Sequence, residues 1–234
     1  MKFSEINHFA NGLNAFVLNQ TVKTNLNTWD RFPIANWPKI RSHIQDKLGY
    51  ASTPYVTITR RDIFAEQDPH LKNILAMMWG FAKGGGQSQR YMRLLFENAD
   101  HFVEILSEIE SMGLTEGSLL LLNKVKGVKI SKTSKLLYFK ECYVGGAPCL
   151  IFDRRVLESL QSITFEEFEE IDRPLKALGL PQDITFDLYA AYCRICAEIA
   201  GELDCKVDVV EYLLFNPELQ KKLSYDFKKV MRQR

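Results

Sequence analysis

An all-α fold is what this 234-residue sequence predicts, and three observations predict it. Apolar residues recur at helical spacing along most of the chain, as in Leu71, Ile74, Leu75, Met78 and Trp79, and again in Phe102, Ile105, Leu106, Ile109 and Met112. Only Tyr55-Val56-Thr57-Ile58-Thr59 alternates over a useful length, and it reads as a vestige of strand leading into a helix capped near Thr59. The composition, 46% hydrophobic and 25% charged, is that of an ordinary globular chain with a substantial core.

Residues 19–55, rich in Asn, Thr, Pro and Trp, show no period and are expected to wrap the surface. Residues 74–95 read as an apolar helix, a loop at Gly84-Gly85-Gly86 and a second helix. The helix through Phe102 has its stop at Gly113. Further helices are predicted over 119–125, 132–139, 156–160, 165–178, 184–203, 207–215 and 217–231. No repeat, low-complexity tract or flexible linker divides the chain, so a second lobe would share a tight interface with the first. No apolar run reaches the ~18 residues that span a bilayer. The N-terminus, MKFSEINHFANGLNAF, lacks the charged-then-apolar layout of a signal peptide. The expectation is a cytoplasmic protein with no membrane contact and reduced cysteines.

A net charge of +1 removes any global electrostatic argument for binding nucleic acid. The charge is nevertheless uneven. Lys124, Lys126, Lys129, Lys132, Lys135 and Lys140 fall within 124–140 with no acid among them, the tail is basic again, and Glu166 to Asp172 is acidic. Around the lysines, 119–125 reads as a helix, 126–130 as a tight turn and Ser131 onward as a second helix. Gly127 suits a turn position with positive φ, and Ser131 can cap the new helix. The free amides and positive dipole end of such a helix attract phosphate. An αα-corner with a solvated basic face gives the same pattern.

Two residues in this stretch carry chemistry. Lys132 falls in the first turn of the second helix beside other cations, where the neutral amine of a nucleophile is favoured. Asp153 follows Cys149-Leu150-Ile151-Phe152 and precedes another helix, which makes it a natural N-cap held ionised. Capping alone explains an aspartate there, and an ionised cap can also stabilise positive charge on a sugar.

The motifs V-K-G-V-K-I, S-K-T-S and I-F-D-R-R-V, with Asp153 21 positions after Lys132, resemble the helix-hairpin-helix (HhH-GPD) superfamily of DNA glycosylases. There an L-P-G-V-G-like hairpin precedes a catalytic lysine, and an apolar run ends in a catalytic aspartate within V-D-x-x-V. The layout is closest to the 8-oxoguanine glycosylase branch. The resemblance implies a two-lobed helical fold with the active-site cleft between lobes, 1–60 and 146–234 forming one and 61–145 the other. It implies Lys132 as Schiff-base nucleophile and Asp153 as catalytic carboxylate, with Lys126, Gly127, Lys129, Ser131 and Lys135 on the DNA backbone. Gly85, Gly86 and Gln87, with Arg90 nearby, would enter the space of a flipped base. Lys126 and Lys129 replace the hairpin's proline and second glycine, and an extra residue precedes Lys132. Lys129 and Lys135 are therefore rival nucleophiles.

Other constellations are weaker. Cys193 and Cys196 lie within a periodic helix and read as small hydrophobes, not metal ligands. The four histidines show no zinc spacing. Phe186, Asp187 and Tyr189 are placed to line a base pocket, although Phe186, Tyr189 and Tyr192 at helical spacing also fit a core. The implied function is excision of an 8-oxoguanine-like base from double-stranded DNA by a monomer, with abasic-site lyase chemistry and no cofactor. A glycosylase acting on hypermodified foreign DNA in antiviral defence and a non-catalytic DNA-binding module are the alternatives.

Overall fold

The computed structural model describes residues 3, 7–49, 53–83, 89–126, 128–163 and 165–216. Among them the chain is predominantly α-helical: α1 (Asn7–Leu18), α2 (Trp37–Leu48), α3 (Arg60–Ala65), α4 (Pro69–Gly80), α5 (Gln89–Glu97), α6 (Ala99–Met112), α7 (Glu116–Asn123), α8 (Ile130–Phe139), α9 (Arg154–Ser162), α10 (Glu169–Ala177), α11 (Phe186–Glu202) and α12 (Val207–Phe215). Two small antiparallel sheets interrupt them, β1 (Thr21–Asn25) with β2 (Tyr55–Thr59), and β3 (Tyr143–Val144) with β4 (Ala147–Pro148). The predicted helix over 217–231 lies outside the described residues. No helix among the described residues is long and apolar enough to cross a membrane.

Local chemistry sets the boundaries. α4 opens on Asp68, whose carboxylate accepts from the amides of His70 and Leu71, with Pro69 at the first helical position. Gly113, at φ 84°, ends α6 where a side chain would be strained. Thr59 caps α3 through a capping box with Asp62, as expected of the end of the alternating stretch.

The structure corrects four expectations. Residues 19–55 do not merely wrap the surface: they supply β1, which pairs Thr21 with Thr59 and Asn25 with Tyr55, and they bury Leu26, Trp29, Phe32, Ile34, Trp37 and Ile44. The β3–β4 hairpin was not foreseen; Gly145 and Gly146, both at positive φ, make its turn. The helix expected over 165–178 is a 3-10 turn at Glu166–Phe168 followed by α10. Met112 is 69% exposed, because α6 turns its last residue away from the face that Phe102, Ile105, Leu106 and Ile109 bury.

α4 is the central strut, packed against α8, α3, α6 and the β1–β2 ribbon. α12 packs on α1, α9 and α11, and the 3-10 turn at Pro181–Asp183 rests on α8. A buried ion pair between Arg60 of α3 and Glu211 of α12 joins elements 151 residues apart, with Nη1 to Oε2 at 2.7 Å.

Candidate functional site

The loop between α7 and α8 delivers a helix whose inward stripe contains two lysines. Lys129, at the N-cap of α8, uses no side chain to cap, and its carbonyl accepts from the amides of Lys132 and Thr133 at 2.8 and 3.1 Å. Ser131 was expected to be the cap; it lies inside the first turn, and its carbonyl accepts from Lys135 instead. The basic run divides by geometry. Lys124, Lys126 and Lys129 are exposed, Lys140 pairs with Glu110 at 3.0 Å, and Lys132 and Lys135 are buried. Lys135 is therefore not a backbone-phosphate contact: at 2% exposure its ammonium has no open path to DNA.

Lys135 Nζ donates to Asp153 Oδ2 at 3.1 Å and to the Ser131 carbonyl at 3.0 Å. It reaches that position past Gly80, where a Cβ would lie 2.6 Å from its Cδ. The other carboxylate oxygen, Oδ1, caps α9 by accepting from the amides of Arg155 at 3.0 Å and Val156 at 3.4 Å. Burial pushes the Asp153 carboxyl up, but Lys135 and the two amides outweigh it and hold the group below the usual carboxylate range. Phe81 lies beneath both amines, with Nζ of Lys132 at 5.6 Å and Nζ of Lys135 at 5.3 Å from the ring centroid. Burial, reinforced by the Lys135 charge, lowers Lys132 to a pKa of about 8.

Asp153 is placed by its neighbours. The irregular segment before it is buried, and its carbonyls would be costly to leave unpaired. Tyr189 and Tyr192 of α11 donate their hydroxyls to the carbonyls of Leu150 at 2.8 Å and Ile151 at 3.1 Å. Ser134 of α8 takes the next residue, accepting from the Phe152 amide at 3.0 Å and donating to its carbonyl at 3.4 Å. Tyr189 therefore does not line a base pocket; it is fully buried and steadies the segment that presents the aspartate. Phe186, half-buried, and Asp187, exposed, remain at the start of α11. Thr24 fixes the other wall by donating to the Ala82 carbonyl at 2.6 Å, next to Phe81.

Sequence reasoning passed over Ser134, Gly80 and Phe81. One signal was available: Lys132, Lys135, Leu136 and Phe139 stand at i, i+3, i+4 and i+7, so the two lysines occupy the buried stripe of the helix. Arg90 is exposed on α5, while Gly85, Gly86, Gln87 and Gly127 lie outside the described residues. Among the described residues no group of three or more His, Cys, Asp or Glu is arranged to hold a metal ion. Cys193 and Cys196 are buried in α11, and burial raises both thiol pKa values.

Fold and site together define a helical protein that gathers two lysines and a capping aspartate where α4, α8 and α9 meet. A family model described as "Putative 8-oxoguanine DNA glycosylase OGG-like protein" matches residues 15–215, and the chain belongs to that family. Membership relates it to DNA glycosylases, enzymes acting on DNA. No curated protein and no solved structure matches the chain.

Proposed function

We propose that the protein excises a damaged or modified base, an 8-oxoguanine-like purine first among them, from duplex DNA through an imine formed on Lys132. The observation that carries this reading is the pairing of a buried amine of lowered pKa with an ammonium that a capping carboxylate fixes in place. At pH 7, roughly one Lys132 in ten is then neutral, against roughly one in two thousand for an ordinary lysine. Desolvation and an adjacent cation are the two recognised ways of activating a lysine nucleophile. Lys129 is exposed, whereas Lys132 is buried with a lowered pKa, which makes Lys132 the preferred nucleophile.

In the proposed sequence the nucleotide rotates out of the stack, because its anomeric carbon is out of reach within the duplex. As the glycosidic C–N bond lengthens, the Asp153 charge stabilises the cationic sugar. The Lys132 lone pair bonds to C1′, and the base departs with the bonding electrons and takes up a proton. Loss of an N–H proton and opening of the sugar ring give the imine, and β-elimination then expels the 3′ phosphate. The exposed Lys126 and Lys129 and the α8 amides serve the DNA backbone. Arg90 and the segment containing Gly85, Gly86 and Gln87 serve the vacated space. This reading carries with it the helix-hairpin-helix relationship and a two-lobed arrangement, 1–60 and 146–234 against 61–145.

The test is borohydride trapping on a duplex carrying 8-oxoguanine, followed by a panel of other modified bases. A covalent complex is expected with the natural protein and its loss with Lys132→Gln. A complex that survives in Lys132→Gln removes the assignment. Salt-sensitive binding without trapping or base release on any duplex supports the non-catalytic module instead.

A further inference from the structure

The chain that borders the lysine site carries a second group of cations. From Pro69 to Phe96 the sequence contains no acidic residue, while Lys72, Lys83, Arg90 and Arg93 fall within it. The structure brings Arg31, from the segment before α2, to two of these. Arg31 Nη2 donates to the Lys83 carbonyl at 3.4 Å, and Arg93 Nη2 of α5 donates to the Arg31 carbonyl at 3.3 Å. Arg31, Lys83 and Arg93 are all exposed.

Their placement follows from the core beneath them. Trp29, Phe32 and Phe96 pack as an aromatic trio with ring centroids 5.5, 5.7 and 6.2 Å apart. Phe32 follows Arg31, and Phe96 is one turn on from Arg93. Burying the rings therefore holds the two segments together and leaves both guanidinium groups outside. The Arg31 guanidinium lies 5.3 Å from the Phe32 centroid, which supports its flat face. Each guanidinium commits one nitrogen to a carbonyl, and the rest of its five N–H donors stay available.

No carboxylate neutralises the group: among the described residues none of the three is in an ion pair. Asp30, next to Arg31 in the chain, accepts from Trp37 Nε1 at 2.8 Å and from Arg41. Glu97, one turn on from Arg93, lines the cleft at the corner between α5 and α6. Like charges gathered without a counter-ion repel one another, and a polyanion removes that repulsion.

The group is joined to the lysine site through consecutive residues. Phe81 lies beneath the amines of Lys132 and Lys135, the Ala82 carbonyl accepts from Thr24 at 2.6 Å, and the Lys83 carbonyl accepts from Arg31. Thr24 in turn accepts from Trp29 of the aromatic trio at 2.9 Å.

We propose that Arg31, Lys83 and Arg93 form a phosphate-binding surface for the DNA backbone, separate from the lysines of the α7–α8 turn. The inference rests on the reading of the protein as one that acts on duplex DNA, and not on the imine chemistry of Lys132. Arginine forks match phosphate oxygens at two points. Exposure of all three residues suits a polyanion passing across them, not a single enclosed anion. The surface takes phosphates next to the nucleotide presented to Lys132 and positions the strand without reading its sequence.

The test measures binding of a fluorescein-labelled, unmodified duplex to the full chain by anisotropy over a range of salt concentrations. Arg31→Gln, Lys83→Gln and Arg93→Gln are each expected to reduce the slope of log affinity against log salt by about 0.9, and the triple variant by about 2.7. Arg31→Lys keeps the charge and loses the fork, so it should keep the slope while binding weakens. The Lys83 side chain makes no hydrogen bond or ion pair among the described residues. Lys83→Gln therefore tests the surface even where melting temperatures show that an arginine variant has loosened the fold. Unchanged slopes in all three variants, while binding by the natural protein remains salt-sensitive, overturn this surface and leave the DNA reading standing. Absence of salt-sensitive duplex binding by the natural protein overturns both. Variants that weaken binding to phosphatidylserine vesicles but not to the duplex assign the surface to a lipid headgroup and also overturn the inference.

Discussion

Two clusters of buried charge adjoin α8, one at Tyr138 and one at Lys135, and they are built differently. Around Arg60 every guanidinium nitrogen is used: Nη1 donates to Glu211 Oε2 at 2.7 Å and Tyr138 Oη at 2.8 Å, Nη2 to Glu211 Oε1 at 3.3 Å, and Nε to Gln20 Oε1 at 2.9 Å. The guanidinium also lies over the rings of Trp79 and Tyr138. Both charged side chains are fully sealed. Burial pushes the Glu211 carboxyl up while Arg60 pulls it down, and the two-point contact fixes the pair as guanidinium and carboxylate. At the α8 site Asp153 pairs with Lys135 while a second buried amine, Lys132, lies within reach of the Lys135 charge, and the Asp153 side chain keeps 15% of its surface open. A balanced, closed cluster holds distant segments together. The other holds a buried amine whose charged form is disfavoured by desolvation and a neighbouring ammonium, which is a cost to the fold and a condition for nucleophilic chemistry.

The largest effect should come from breaking the balanced cluster. Glu211→Leu leaves Arg60 charged, buried and unpaired, with an expected loss of about 3–5 kcal/mol in denaturant unfolding. Adding Arg60→Met should return most of it, because removing both charges also removes both desolvation costs. A single variant that loses under about 1 kcal/mol would show that the two clusters are not different in kind.

The opposite sign is expected at the unbalanced cluster. The folded-state pKa of Lys132, about 8, lies below its unfolded value of ~10.4. The unfolded chain therefore binds more protons between those two values, and this group's contribution to stability rises with pH across that window. Its penalty is fully present below pH 8. Lys132→Met should thus be more stable than the natural protein at pH 7, by up to about 3 kcal/mol, with the advantage shrinking toward pH 10.4. The difference between the two proteins is the quantity to follow. Buried thiols such as Cys142, pushed up to about 12, act with the opposite sign in the same alkaline range and cancel only in the difference. Parallel stability curves would mean that Lys132 is solvated like any surface lysine.

The helices most readable in the sequence are those with one apolar face and a local stop. The faces through Leu71 and Phe102 and the run Val207–Phe215 needed only spacing, plus Gly113 at the end of α6. β1 was not readable, because Thr21–Asn25 becomes a strand only by pairing with residues thirty or more positions away. β3 and β4, two residues each, fall below any periodic signal. At the site, spacing and capping chemistry pointed to Lys132 and Asp153; in the structure Asp153 accepts from Lys135, whose charge in turn reaches Lys132. The fate of Lys135 was hidden for a different reason. A run of like charges does not say which members a neighbouring helix will cover, and here the decision lies with Gly80, fifty-five residues earlier, whose missing Cβ leaves room for the side chain.

The smallest effects distinguish the exposed lysines of the same run from the buried pair. Lys126 and Lys129 have no ion-pair partner among the described residues and lie at the turn into α8, so alanine there should change stability by no more than ~0.5 kcal/mol. If they contact phosphates, each substitution should weaken duplex binding about equally for every sequence and reduce the slope of log affinity against log salt by about 1. Lys135→Met should behave otherwise, because its ammonium faces Asp153 and not solvent. It should leave the salt slope unchanged while raising the pH at which Lys132 becomes reactive, since the neighbouring charge that lowers its pKa is gone. A salt slope that falls equally for Lys126→Ala and Lys135→Met would place both on the DNA and dissolve the distinction between surface clamp and buried pair.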